Sequence, residues 1–241
     1  MNETKQTSAT MRLIVASAVI AIGLLALGLC MRSGLKSFND SQRTVEVRGL
    51  STREVPANQV TWPIVFKQVG NDLPQVYASV SSTNDAIVAF LKSNGIADKD
   101  ISVSAPQMTD LSADRYNSQP IPFNYSVTSV VTVSSSEVTK VHDLINRQGE
   151  LLKQGIPIST DYSNPITYNY TDLNSIKPEM IAEATKNARE AAEKFADDSD
   201  SKIGKIKEAR QGQFTIEDRD TYTPYIKQVR VVTTLVYYLE D

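Results

Sequence analysis

The feature that most constrains this chain is the run from Leu13 to Met31, LIVASAVIAIGLLALGLCM, with Arg12 before it and Arg32 after it. A helix rising about 1.5 Å per residue over that length covers the roughly 30 Å hydrocarbon core of a bilayer. No Lys, Arg, Asp or Glu interrupts the run, so nothing in it requires a charged partner or a water-filled cavity. Residues 13–31 therefore read as a single transmembrane anchor, preceded by a cytoplasmic tail over 1–12 and followed by a linker over 32–42.

An export signal competes with that reading, and Ala26-Leu27-Gly28 offers a small-x-small exit. The apolar run continues through Leu29, Cys30 and Met31, longer than a cleaved core of about 7 to 15 residues, which favours an uncleaved signal anchor. Lipidation of Cys30 wants a small residue before it, and Leu29 stands there. Lys5 and Arg12 face Arg32 and Lys36 across the run, so the positive-inside rule separates the two orientations poorly. A short tail before a first apolar segment is the ordinary arrangement for exporting the chain beyond it, so residues 43–241 are expected outside the cytoplasm, in the periplasm.

Charge narrows the partners. The chain carries a formal −3, and Lys5, Arg12, Arg32 and Lys36 against Glu3 make the first 36 residues +3, leaving −6 for the rest. An acidic exported domain is a poor partner for nucleic acid. Cys30 is the one cysteine, so the part beyond the anchor contains no disulfide.

From Arg43 the pattern changes to strand alternation at Val45, Val47 and Val55. Val60 to Val69 (VTWPIVFKQV) is a second β-branched and aromatic run, and Pro63 inside it predicts an edge strand or a bulge. Asp72 caps a helix that Asn94-Gly95 closes. Asp100 to Leu111 and Phe123 to Val133 read as strands around a loop at Ser112 to Pro122. Ser134 and Glu137 have the spacing of a capping box, opening a helix with Val138, Val141, Leu144 and Ile145 on its apolar face and an end near Gly149. Ile156 to Tyr170 is extended. Lys177-Pro178-Glu179 starts the longest helix of this part, running to about Asp197, with Ile181, Ala184, Thr185, Ala188, Ala192 and Phe195 on its buried face. Ile203 to Ile216 and Val229 to Leu239 supply the last strands, the latter central. Strands outnumber helices and come in hairpin-like pairs, which predicts an α+β fold: a largely antiparallel sheet covered by helices.

Several of these segments occur in a recognisable order. Val45-Glu46-Val47-Arg48-Gly49 precedes Pro56. Asn94-Gly95-Ile96 precedes Asp100-Ile101, and Tyr125-Ser126-Val127-Thr128-Ser129 with Val131-Thr132-Val133 precedes Leu144-Ile145-Asn146. Last come Ala184 to Ala192 and Ile203-Gly204-Lys205-Ile206. From Arg43 to the C terminus the chain resembles the SIMPL-domain family of bacterial exported or envelope-anchored proteins. Asn124 replaces a glycine usual before the tyrosine, and Asp200-Ser201-Lys202 replaces a common Leu-Gly. The resemblance implies an α+β exported domain of the cell envelope and carries over no functional residue.

The residues themselves offer few candidates for chemistry. His142 is the one histidine, and Asp143 beside it in sequence points about 100° away around the helix, which leaves the imidazole without a positioned acid partner or further metal ligand. Asp197, Asp198 and Asp200 cluster acidic oxygens but lack the glycine turn and distal glutamate of a calcium loop. Tyr162, Tyr168, Tyr170, Tyr222 and Tyr225 suit either strand packing or a contact surface. Asn124-Tyr-Ser126 and Asn169-Tyr-Thr171 match a glycosylation sequon that a bacterial source would not use. No phosphate loop, nucleophile elbow or His-Glu-x-x-His is present.

The expected function is that of a non-enzymatic cell-envelope protein without catalytic, cofactor-binding or metal-binding residues. It would act by self-association as a homo-oligomer or by binding an unidentified envelope protein. The alternative is a binder of a small apolar or lipid ligand, in a groove between the sheet and the alanine-rich helix.

Overall fold

A computed structural model of the chain describes residues 21–25, 27–32, 43–113, 122–159 and 163–240. Residues 13–20 and 26 of the expected span, the tail and residues 33–42 of the linker lie outside the described residues, as do 114–121 of the expected loop. Residues 21–25 and 27–32 are helical, and their side chains, Ile22, Leu24, Leu25, Leu27, Leu29 and Met31 among them, are exposed. Among the described residues no helix is long and apolar enough to cross a membrane.

The fold is α+β with antiparallel strand pairing, and the strands form two sheets where the sequence suggests one. The chain divides into two compact units, residues 1–51, 179–214 and 231–241 in the first and residues 52–178 and 215–230 in the second. The strands are β1 (Thr44–Pro56), β2 (Gln59–Gly70), β3 (Ile101–Val103), β4 (Gln107–Asp110), β5 (Tyr125–Ser135), β6 (Ile158–Ser159), β7 (Thr167–Asn169), β8 (Lys202–Gln211), β9 (Thr215–Asp218) and β10 (Ile226–Glu240). The helices after the N-terminal one are α1 (Leu73–Ser93), α2 (Val138–Asn146), α3 (Gly149–Lys153) and α4 (Leu173–Asp198), with a 3₁₀ turn at Asp98–Asp100.

In the first unit β10 lies between β1 and β8, the central place its β-branched sequence predicts. α4 buries Met180, Ala184, Ala188, Ala192 and Ala196, and Ala188 and Ala192 pack with Val47, Leu235 and Tyr237. Phe195, expected on this face, is 61% exposed, and Ile181 and Thr185 are only half-buried. The cause is the strict four-residue spacing of the buried stripe. At about 100° per residue each step carries the stripe about 40° around the axis, so by the last turn it has moved away from the direction in which Phe195 projects. The helix also begins before the Lys177-Pro178-Glu179 start read from the sequence, with Pro178 inside its second turn.

In the second unit β2 and β5 pair along their full length without a register shift, from Val60 opposite Ser135 to Gly70 opposite Tyr125. β3 and β4 follow one another along the free side of β5, and β7 and β6 along the free side of β2. Pro63 is thus on an interior strand and not at an edge or bulge. On that flank β7 pairs with residues 59–61 and β6 with Val65 and Phe66, and none of the described residues is paired opposite residue 63. The Val65 carbonyl accepts from Ser159 on this flank, and by the two-residue period the donorless nitrogen of Pro63 points the same way, away from β5, so the long β2–β5 ladder loses no donor.

α1 and α2 cover this sheet, joining Val76, Val80, Ile87, Leu91, Val141 and Leu144 to the core. α1 has the expected caps, Asp72 accepting from the Gln75 amide and Gly95 taking a φ of +81°. The capping box does not form. Ser134 stays in β5 and accepts from Gln59, Ser135 accepts the Glu137 amide, and the Glu137 carboxylate turns to Lys140. Gly149 opens α3 and does not end α2.

Candidate functional site

The acidic cluster is a helix end. Asp197 and Asp198 close α4, and the Asp200 amide donates to the Asp197 carbonyl while Asp200 takes a φ of +51°. The Ser201 amide then reaches back to Ala196, so the three aspartates surround a left-handed C-terminal turn. Among the described residues no group of three or more His, Cys, Asp or Glu side chains converges to hold a metal ion.

His142 has neighbours that its local sequence does not announce. Nδ1 lies 3.0 Å from the Tyr168 hydroxyl, and its ring sits 4.6 Å from the Tyr225 ring, which meets Tyr168 edge-on. α2, β7 and the turn before β10 supply one aromatic side chain each. Tyr168 is buried, and that burial, with the Tyr225 phenol beside it, pushes its hydroxyl above the usual phenol range. The three rings fill one another's space and hold their elements together; the cluster has the form of a polar tie inside a core. Of the other tyrosines, Tyr170 is half-buried beside Ser175, Tyr222 is fully open to solvent, and Tyr162 lies outside the described residues.

Open apolar space occurs at the start of α1. Leu73, Pro74 and Tyr77 from the helix face Pro106 and Met108 of the β4 segment over Val127 of β5, enclosing a groove of about 410 Å³. Tyr77 is 60% exposed and Met108 52%. Alternation along β4 places Met108 on the helix side, opposite Val127. The groove lining carries no charged side chain, and its one hydroxyl is that of Tyr77. On the other side of the same helical turns Gln68, Asn71, Asp72, Gln75 and Ser79 border a polar recess of about 290 Å³.

The alanine-rich helix offers no comparable space where β1 crosses it. A Cβ on Gly49 would stand 1.9 Å from the Ala184 carbonyl oxygen and 2.4 Å from the Ala188 nitrogen. Backbone meets backbone there, which leaves no room for a ligand at that crossing. The α1–β4 groove is not legible in the sequence because it joins residues about 30 positions apart. Its trace is compositional: residues 73–84, 101–109 and 122–136 contain no charged side chain.

A family model described as SIMPL, protein of unknown function (DUF541), matches residues 45–232. No curated protein matches the chain.

Proposed function

We propose that this chain, which belongs to the SIMPL family, is a non-enzymatic recognition protein of the cell envelope. Residues 13–31 hold it in the cell membrane as a single span, and residues 43–241 lie on the periplasmic side. The apolar, uncharged run and the polar chain behind it support that placement. The domain works by binding an apolar surface of a partner, itself or another envelope protein, through the α1–β4 groove.

The observation that carries this reading is the groove: an exposed tyrosine and an exposed methionine stand over an apolar floor, and no charged side chain lines it. Interface cores are depleted of charge and enriched in Tyr and Met, whereas catalysis needs convergent polar groups, which this lining lacks. A second reading takes a small apolar or lipid ligand in the same groove, favoured by a volume within the roughly 300 to 1,000 Å³ of ligand sites.

Photocrosslinking tests both. With a benzophenone amino acid in place of Tyr77 in the full chain, in its own membrane, a protein adduct supports the first reading. A lipid adduct alone supports the second. No adduct at Tyr77 above that at exposed Asp197 overturns the groove as the working surface.

A further inference from the structure

We propose that the occupant of the α1–β4 groove is a second copy of this chain, paired about a two-fold axis through the uncharged face that carries Tyr77 and Met108; this rests on the groove being the recognition surface. The first support is electrostatic. Residues 37–241 carry a formal −6, so two copies repel over most approaches. Identical acidic domains meet at least cost on a face without charges. In the second unit the nearest to such a face is formed by the first three turns of α1 with β3 and β4, which have no Asp, Glu, Lys or Arg up to Thr109 and only Asp110 at the margin. A basic partner would instead be recognised by an acidic patch, and the groove lining has none.

The second support is the strand edge beside the groove. Among the described residues no strand pairs with the outer side of β3 or β4. The Leu111 amide bonds inward to the Asn124 carbonyl, so by the two-residue period the main-chain groups of Met108 and Asp110 face outward. Exposed edges are ordinarily guarded by charge, and β8 in the first unit carries Lys202, Lys205, Lys207, Glu208 and Arg210 together with two register shifts. β3 and the residues of β4 up to Thr109 carry no charge and expose Val103 and Met108. An edge whose one charge is Asp110 at its far end, beside an apolar groove, invites an identical edge, and a two-fold pairing uses it up without propagating. Across the axis Met108 of each copy then lies near the groove of the other.

The chain has one cysteine, Cys30, so a Cys30→Ser background makes site-directed crosslinking clean. In the full chain, in its own membrane, Met108→Cys treated with a short bismaleimide should give a covalent dimer of twice the chain mass. Asp197→Cys, at the exposed end of α4, should give at most a trace. Adding Tyr77→Glu, which places like charges at the contact, should lower the Met108→Cys dimer about tenfold or more, while Ala182→Glu, the same added charge on the exposed face of α4, leaves it unchanged. The thermal midpoint of each variant shows that it is folded, and a Tyr77→Glu chain that fails to fold is replaced by Pro74→Glu. Only monomer at Met108→Cys, or a dimer indifferent to charge at both Tyr77 and Pro74, overturns the proposal. An adduct of Met108→Cys with a protein of different mass also overturns it, yet leaves the groove as a partner surface. Failure of the groove itself is read separately, from a photoadduct at Tyr77 no greater than that at Asp197.

Discussion

The site a Cβ would occupy on Gly49 lies 1.9 Å from the carbonyl oxygen of Ala184, so strand β1 and helix α4 touch through their backbones. Neither side can yield by turning a side chain. Gly49→Ala should therefore destabilise the first unit at the upper end of, or beyond, the roughly 1 to 3 kcal/mol of ordinary overpacking, as read from urea unfolding.

Ala188→Leu probes the same contact from the helix, because Ala188 is fully buried against Val47 and Leu235. Its expected cost is about 1 to 3 kcal/mol in urea unfolding. Ala182→Leu, on the exposed face of the same helix, should change stability by no more than about 0.5 kcal/mol. Equal effects of the two would mean that the buried stripe does not seat the helix.

What the sequence made legible and what it hid depend on the range of each signal. The caps of α1 and the central position of β10 are written in a few adjacent residues, and both are present. Pro63 misleads because its penalty depends on which neighbour its missing donor faces, and here it faces away from the long ladder with β5. Phe195 misleads because a helical wheel assumes a fixed buried direction, whereas α4 buries a stripe that winds around it. The Ser134–Glu137 box fails because β5 holds Ser134 for pairing with β2. For the groove, local reading finds only the absence of charge; bringing Tyr77 to Met108 is the work of the fold.

Tyr168 and His142 test whether the aromatic cluster is structural. Tyr168→Phe removes one hydrogen bond from a buried pair and should cost about 1 kcal/mol, as should His142→Gln. Because burial raises the Tyr168 hydroxyl above its ordinary value of 10.0, its stabilising effect is complete below that value and is lost as pH rises through the folded value. Urea unfolding should therefore weaken less between about pH 9 and 11 in Tyr168→Phe than in the natural chain. Crosslinking at Tyr77 should be unchanged in either variant; its loss in a folded His142→Gln chain would give the histidine a functional part.

The proposed anchor makes a separate prediction. A span over residues 13–31 is held by burial of its apolar side chains, which alkali does not reverse. The full chain should stay with the membrane after an alkaline carbonate wash and keep its original N terminus. Release of a soluble form beginning near Leu29 would identify the run as a cleaved signal.

The last prediction concerns the turn before β10, in the second unit. Asp220 accepts from the Thr223 hydroxyl and from Arg219, and from the amides of Tyr222 and Thr223 at 2.8 Å each. All of these favour the carboxylate, and together they hold its pKa at about 2, below its ordinary 3.8. For a depressed carboxyl the stabilising effect is present above the unfolded value and is lost as pH falls through the folded one. The turn should accordingly keep its amide protection at about pH 4 and lose it as the pH approaches about 2. Thr223→Val removes the largest contribution, the hydroxyl bond, so carbon-detected NMR titration should show Asp220 moving up toward 3.8. Arg219→Gln removes the next contribution and should move it less. An Asp220 that titrates near 3.8 in the natural chain would mean that the turn does not hold these four bonds in solution.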